Sequence, residues 1–380
     1  MQHTFRLRLA ALAFSALLSC GCSEPGTQTQ APASPEPASL ATAAPLALPA
    51  PKAGRVRPLV AVLADNAGTE VTDFVIPYGV LREADVADVR SVSTGAGTVA
   101  LMPALRIRAD QTIAGFDAEV PAGADIVIVP AMHHDDTPQV LAWLRAQAAR
   151  GATVVAVCEG ALVLARAGLL DGRSATTHWY AMRGIEAKFP ATRWVHGRRY
   201  VADGNIVTSS GVTASLPLSL ALVEAIAGQP AAAAAAARLG VRDWSARHDS
   251  TPFRLDAASI GLALSNRLAW WRHETVDIAV APGFDEIAVA LQADAWSRTY
   301  RSEARTLGTA AQLRSRRGLR LEADAVAVGA ATGPEPGHHA SAPYAGPPAE
   351  ALDAALGTIQ ARYGQATAQF VALQMEYPRR

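Results

Sequence analysis

Cysteine is scarce in this sequence. Three occur in 380 residues, at positions 20, 22 and 158. Two stand at the start, so Cys158 has no disulfide partner in the rest of the chain, and a disulfide framework is excluded. A lone thiol in an oxidising compartment is a hazard unless it is buried or useful. Net charge is lacking too: 34 basic residues balance 34 acidic ones. The chain as a whole shows no electrostatic footprint for nucleic acid, and no nucleic-acid partner is expected. The basic run RSRRGLR at residues 314–320 is short and reads as a solvated turn. Half of the residues are apolar and 18% are charged, a globular composition rich in Ala and Val.

The first residues read as an export signal. Arg6 and Arg8 precede an apolar run at residues 9–18. That run is too short to span a bilayer and fits a signal h-region. It ends in LLSCGCSEPG, where Leu17 stands three residues before Cys20 and Ser19 directly before it. This resembles a bacterial lipobox; Cys22, after Gly21, is a second candidate. The other reading is an ordinary signal peptide with incidental cysteines. Lipid on either thiol would anchor the protein to a membrane surface without a spanning helix, in the bacterial envelope and facing outward from the cytoplasm. Residues 1–22 are therefore read as a leader. Residues 23–55, rich in Pro, Ala, Ser and Thr, are read as a disordered tether.

From residue 56 the pattern is regular. Apolar runs at 56–65, 86–94, 123–131 and 152–158 read as buried strands. Helical stretches at 72–86, 139–150, 160–170 and 216–227 alternate with them, so the sheet should be mostly parallel and covered on both faces. The seven-Ala run at 231–237 reads as a further helix packed on this domain, since Ala is the best helix former. Residues 56–240 form one domain on this reading, and 241–274 a linker.

From residue 275 the chain starts again. LRIRAD at 105–110 recurs as LRLEAD at 319–324, and GTEVTDFVIPYGVL at 68–81 has a weaker echo at 283–296. Near the end, Gly228 finds its counterpart in Gly364 at a smaller offset. The difference removes the middle of the domain, including any counterpart of Cys158. Residues 275–380 are read as a shortened, degenerate second copy, folding as strands and a long terminal helix. Convergence of two generic βα patterns is the competing explanation. The Pro-, Gly- and His-rich residues 333–348 read as a loop in place of the missing piece. Trp270-Trp271-Arg272-His273, just before the second copy, reads as packing of one domain on the other.

Cys158 ends a buried strand, and a helix follows from Gly160. That is the arrangement of a nucleophile elbow. It delivers the thiol to the carboxyl end of the sheet, where open α/β sheets bind ligands. The helix start favours a thiolate through its dipole and free N–H groups. A buried inert cysteine is the alternative.

Four segments in order then resemble the ThiJ/PfpI (class I glutamine-amidotransferase-like) superfamily: TDFVIPYGVLREA, AVCEGALVLARAGLLDG, ATTHW and GNIVTSSGVTASLPLSLALVEAIAG. The resemblance covers residues 58–240. It implies a flavodoxin-like parallel sheet sandwiched by helices. It also implies Cys158 as nucleophile, Asp73 at the place of the conserved acid and His178 near the cysteine. Asp73 would stay protonated beside the sulfur and donate to it, or act as general acid or base; a plain helix-start Asp is the other reading. His178 would relay protons or orient substrate, or be a loop histidine. Oxyanion donors would be the N–H groups of Glu159 and of the loop after Pro130, at Met132, with Gly160 making room for the turn.

Three departures stand out. Ala131 and Met132 replace the two glycines common after that strand. Glu159 replaces the hydroxyl residue of the isonitrile-hydrating branch and adds charge against a thiolate. Gly79 stands at an often acidic helix position. His133 and His134, followed by two aspartates, read as a polar rim of the site, with no metal and no cofactor called for.

Two functions follow from the resemblance. One is a small-molecule enzyme using Cys158 covalently, as hydrolase, hydratase or lyase. The other is a non-catalytic ligand-binding or redox-sensing domain related to the sensor half of AraC-type regulators, without their DNA-binding part. The expected partners are a small-molecule ligand and the membrane through the lipid, and the resemblance leaves room for a homodimer.

Overall fold

The computed structural model describes residues 46–327 and 337–378, so Cys20 and Cys22 lie outside the described residues. The first strand, β1 (Leu59–Ala64), is six apolar residues buried on both sides. Alternation along it feeds two cores. Val60, Val62 and Ala64 face one apolar cluster; Leu59, Ala61 and Leu63 face another. The chain then runs through β2 (Thr69–Glu70), α1 (Val71–Ala84), β3 (Asp88–Ser93), β4 (Thr98–Met102), β5 (Arg106–Arg108), β6 (Gln111–Thr112), α2 (Ile113–Glu119) and β7 (Ile126–Val129). It continues through α3 (Pro138–Ala149), β8 (Thr153–Ala156), α4 (Gly160–Arg166), β9 (Ser174–Ala175), α5 (Trp179–Lys188), β10 (Arg193–Trp194), β11 (Tyr200–Asp203) and β12 (Ile206–Ser209). The helices α6 (Ser215–Ala227) and α7 (Gln229–Leu239) close this half.

The main sheet has the order β11-β12-β8-β7-β1-β3-β6. Every pair is parallel except the terminal β11–β12 pair. Helices cover both faces, which is the flavodoxin-like α/β sandwich the alternation predicts. The Ala run is helical, with Ala232, Ala235 and Ala236 buried.

The second half has α8 (Ala257–Leu268), β13 (Glu274–Val280), α9 (Glu286–Ser297), β14 (Ser302–Gly308), β15 (Gln312–Arg314), β16 (Arg320–Glu322), β17 (Ala325–Val326), β18 (His338–Ser341), α10 (Ala351–Tyr363) and α11 (Gln365–Gln374). Its sheet runs β17-β14-β13-β18, the order of β6-β3-β1-β7 in the first half, with every pair parallel. From β18 the chain goes to the helix pair with nothing corresponding to β8 and its following helix. Gly228 and Gly364 break the two terminal helix pairs with nearly the same backbone: φ 85°, ψ 165° and φ 90°, ψ 163°. The terminal helix expected as one piece is therefore two.

The halves meet through matching elements. β5 and β16 pair antiparallel, with Ile107 opposite Leu321, its own counterpart in the repeat. Helix α1 packs on α9, and Gly79 is where they cross: a Cβ there would lie 2.8 Å from Ile287. The often acidic position is a glycine because a helix passes over it. One apolar cluster runs through this junction, from Val60 and Phe74 to Ile278 and Trp296. This explains why residues Val71 to Leu81 are buried all round the helix.

Four expectations change. The run at 314–320 is a turn that is solvated only in part: Arg314 and Arg316 are exposed, but Arg317 is buried, 2.7 Å from Glu83 and 3.0 Å from Asp285, because the junction closes over it. The stretch read as a loop includes β18, held by backbone pairing to β13 that composition does not reveal. The segment 241–274 includes a twelve-residue helix. Trp270 and Trp271 pack no domains together; they are 74% and 67% exposed. Among the described residues no helix is long and apolar enough to cross a membrane.

Candidate active site

Strand β8 runs into Cys158 at the carboxyl edge of the sheet. Cys158 has φ +56°, a left-handed backbone that a non-glycine residue rarely adopts. The turn is held by Gly160 N–H to Val157 O at 2.8 Å. Gly160 has no alternative, since a Cβ there would stand 2.1 Å from Val129 O. Strand, strained cysteine and helix together form the elbow expected from the sequence.

The sulfur's surroundings are acidic. Burial pushes the Cys158 thiol well above its ordinary range, and the carboxylates of Asp73, Glu159 and Glu70 push the same way. The Glu159 N–H acts against them as a donor to the sulfur. This reverses the expected low-pKa thiol. Helix α4 has only seven residues, and its dipole contributes about 0.3–1 kcal/mol, up to ~2 when partly buried. Full desolvation can move a thiol by several units.

Asp73 is fully buried near the start of α1. Glu70 caps that helix: its Oε2 accepts Asp73 N–H at 2.6 Å and Thr72 Oγ1–H at 2.9 Å. Asp73 Oδ2 accepts the Ala131 N–H at 3.1 Å, while Oδ1 has no hydrogen-bond partner. The expected Asp73–sulfur hydrogen bond is not formed: the nearby backbone N–H takes one oxygen, and the other has no partner. Burial, and then the charge of Glu70, raise Asp73 well above the usual carboxylate range. Both effects hold the carboxyl toward its protonated form, and its orphan oxygen is where that proton would sit.

The two neighbours of the expected oxyanion donor Met132 are engaged. Ala131 N–H goes to Asp73, His133 N–H to Gly68 O at 2.9 Å, and Glu70 N–H to Ala131 O at 2.8 Å. Met132 is buried opposite Thr69 in an antiparallel bridge. His134 lies 3.9 Å from Asp65, its ring edge-on to that of His133. Glu159 is half-buried; burial raises it, and Arg298 draws it back down.

His178 caps α5, and its Nε2 donates to Gln374 O at 3.1 Å. Burial lowers its pKa, so the ring is neutral with Nδ1 left as acceptor. Its neighbour Thr177 donates Oγ1–H to Cys158 O at 2.9 Å.

The second half supplies groups that sequence reasoning missed. Arg298, at the end of α9, reaches Glu70 Oε1 with Nη2 at 2.9 Å and Asp294 with Nε at 2.6 Å. Glu376 accepts Gly211 N–H at 2.5 Å and pairs with His248 Nε2 at 2.7 Å. Gly211 must be glycine, since a Cβ would come within 2.4 Å of both Glu376 and the His178 ring. Beside this latch is a cavity of about 210 Å³ lined by Thr177, Trp179, Arg183, Arg198, His248 and Phe253.

Residues 59–225 match the DJ-1/PfpI family. The chain is similar to isonitrile hydratase of Pseudomonas putida, 38% identical over 110 residues, which is 29% of this chain and 44% of that protein. It is similar to the HTH-type transcriptional regulator CdhR of Pseudomonas aeruginosa, 41% identical over 87 residues, 23% of this chain and 26% of the regulator. The Parkinson disease protein 7 homolog of Danio rerio is 29% identical over 185 residues, 46% of this chain and 94% of that one. The match thus spans less than half the length of the hydratase and about a quarter of the regulator. Among solved structures, Drosophila melanogaster DJ-1beta aligns with a TM-score of 0.44 and 24% identity, covering 49% of this chain and all of that one. A ThiJ/PfpI family protein from Pseudomonas syringae aligns with a TM-score of 0.43 and 28% identity, covering 48% of this chain and 74% of that one.

Proposed function

Residues 59–225 being a DJ-1/PfpI family domain, we propose that the protein is an enzyme in which Cys158 adds to a small carbon electrophile while Asp73 relays the proton. One observation carries this reading: a fully buried carboxyl with an orphan oxygen, held toward its protonated form, stands near a thiol on a strained elbow. A buried polar atom without a partner needs a reason, and beside a thiol on an elbow a catalytic role is one.

The electrostatics select the mechanism. Burial, with the charges of Glu159 and Glu70, opposes a thiolate, so the reacting form is the neutral thiol. With a small aldehyde, the sulfur lone pair forms the S–C bond and the C=O π pair moves to oxygen. Asp73 Oδ1 gives that oxygen its proton, and the acid's other oxygen takes the proton leaving the thiol. The adduct is a neutral hemithioacetal, Asp73 ends protonated as it began, and no net charge is created in the acidic site. Cys158 is only 6% exposed, so compact substrates are favoured. The same neutrality weighs against redox sensing, which needs a thiolate open to oxidant. A non-catalytic ligand-binding domain is the second reading, favoured by the engaged N–H groups of Ala131 and His133. The leader with Cys20 or Cys22 supports a lipid-anchored place in the cell envelope.

The test is turnover of a panel of small aldehydes and isonitriles by the wild type, Cys158→Ser and Asp73→Asn. The amide still accepts the Ala131 N–H, so Asp73→Asn should fold normally and lose turnover. Wild-type turnover in Asp73→Asn would refute the relay. Turnover in Cys158→Ser would refute the nucleophile.

A further inference from the structure

The segment from Leu255 to Arg272 takes no part in the proposed chemistry, yet it is the most apolar surface described. Ten large apolar side chains are exposed among the described residues. Six of them are here: Leu255, Ile260, Leu264, Leu268, Trp270 and Trp271. Helix α8 is inside out. The stripe turned to the protein is Ser259, Leu262, Ala263 and Asn266, at i, i+3, i+4 and i+7. Asn266 is the helix's one buried residue, and its Nδ2 donates to Thr299 O at 3.0 Å. The stripe turned to solvent is Ile260, Leu264 and Leu268, four apart and 40%, 51% and 69% exposed. Trp270 and Trp271 extend it on a 3-10 turn, their rings edge to face at 5.9 Å. A packed helix puts its larger apolar side chains inward; this one puts them outward, and a contiguous patch of that kind marks a docking surface.

We propose that this face lies in the interfacial layer of a lipid bilayer. Its composition favours lipid over protein. Two tryptophans end the stripe, and indole sits well at headgroup level. Exposed Arg254, Arg267 and Arg272 surround it against a single Asp256, whose carboxylate is engaged as the helix cap at 2.7 Å from Ser259 N. An apolar stripe with tryptophan and a cationic border fits an anionic membrane surface. The geometry of the chain agrees, and here the inference rests on the lipid-anchor reading. Fully extended at about 3.3 Å per residue, the stretch from Cys22 to Leu46 reaches on the order of 80 Å. That length lets the domain settle on the membrane that holds its own anchor. The active-site edge of the fold would then be fixed in orientation to the bilayer.

The experiment uses the full chain in vesicles of phosphatidylethanolamine and phosphatidylglycerol, with and without bromine on the acyl chains. Bromine quenches indole on contact. The wild type should lose tryptophan emission in the brominated vesicles, and Trp270→Ser/Trp271→Ser should lose far less. Both side chains are exposed, so the variant should keep the wild-type unfolding transition. Equal quenching in the two proteins, or none in either, overturns the proposal. So does a dimeric mass in which these tryptophans are already blue-shifted without vesicles, which would make the occupant a second copy. A Cys20→Ser/Cys22→Ser chain separates the two readings. Quenching that persists there, at higher lipid, shows the face binding lipid independently of the anchor; quenching of the wild type that Trp270→Ser/Trp271→Ser leaves unchanged assigns the membrane contact to the anchor alone and overturns the proposal.

Discussion

Replacing Arg298 by Met removes a cation that the second half brings to the carboxylates around Cys158. The guanidinium is bonded to Glu70 at 2.9 Å and to Asp294 at 2.6 Å, and those acids are 8% and 0% exposed. Breaking a buried pair from one side costs about 3–5 kcal/mol, because the remaining charge is stranded. The Arg298 side chain keeps 21% of its accessibility, so the lower end, about 3 kcal/mol at pH 8, is expected. The penalty should depend on pH, and its sign follows from linkage. Burial already raises Asp294 above the usual carboxylate range with the arginine present; without it, Asp294 rises further. An acid whose folded pKa exceeds its unfolded value favours the fold at low pH, and this contribution is lost as pH climbs from the unfolded pKa to the folded one. Each acid held neutral in that window costs about 1.4 kcal/mol per pH unit. Urea unfolding of wild type and Arg298→Met at pH 5 and pH 8 measures both effects. The deficit should be small at pH 5 and largest at pH 8, with Arg298→Lys between. A deficit under about 1 kcal/mol at pH 8, or one equal at both pH values, would refute the reasoning.

Other consequences can be checked more briefly. Gly160→Ala drives a methyl into Val129 O at 2.1 Å; it should destabilise by about 3 kcal/mol or more, the scale of a severe core overpacking, read as a lowered urea midpoint. A near-neutral result would mean that the elbow is not as tight as drawn. Alkylation of Cys158 by iodoacetamide should be slow at pH 7 and accelerate only in alkaline solution, since burial and three carboxyl groups hold the thiol neutral; a fast reaction at pH 7 would contradict this. Metabolic labelling with palmitate should mark the protein and disappear in the Cys20→Ser/Cys22→Ser chain; labelling that survives both substitutions would remove the lipobox reading.

What could be read from the sequence was local. The elbow needs only an apolar strand, Cys158 and Gly160, which stand within a few residues of one another. The repeat was legible because Gly228 and Gly364 perform the same break and because Leu105 to Asp110 returns as Leu319 to Asp324. Whatever depends on the halves meeting was hidden. Arg298 arrives from more than two hundred residues away, and no spacing rule ties it to Glu70. Arg317 looked like part of a solvated run until the α1–α9 junction closed over it. The thiol's direction was misjudged because a short helix dipole is easy to see in sequence, whereas the desolvation that outweighs it is a tertiary property. Asp73 was found, but its bond to the sulfur was not formed, since the Ala131 N–H competes for the same carboxyl.

The central claim is that a neutral thiol and a neutral Asp73 react together. The pH dependence of kcat/KM for the best small electrophile tests it most directly. The account predicts no rise between pH 6 and pH 8, and a decline where Asp73 ionises. A profile rising about tenfold per pH unit over the same range, as a thiolate nucleophile requires below the thiol pKa, would contradict it.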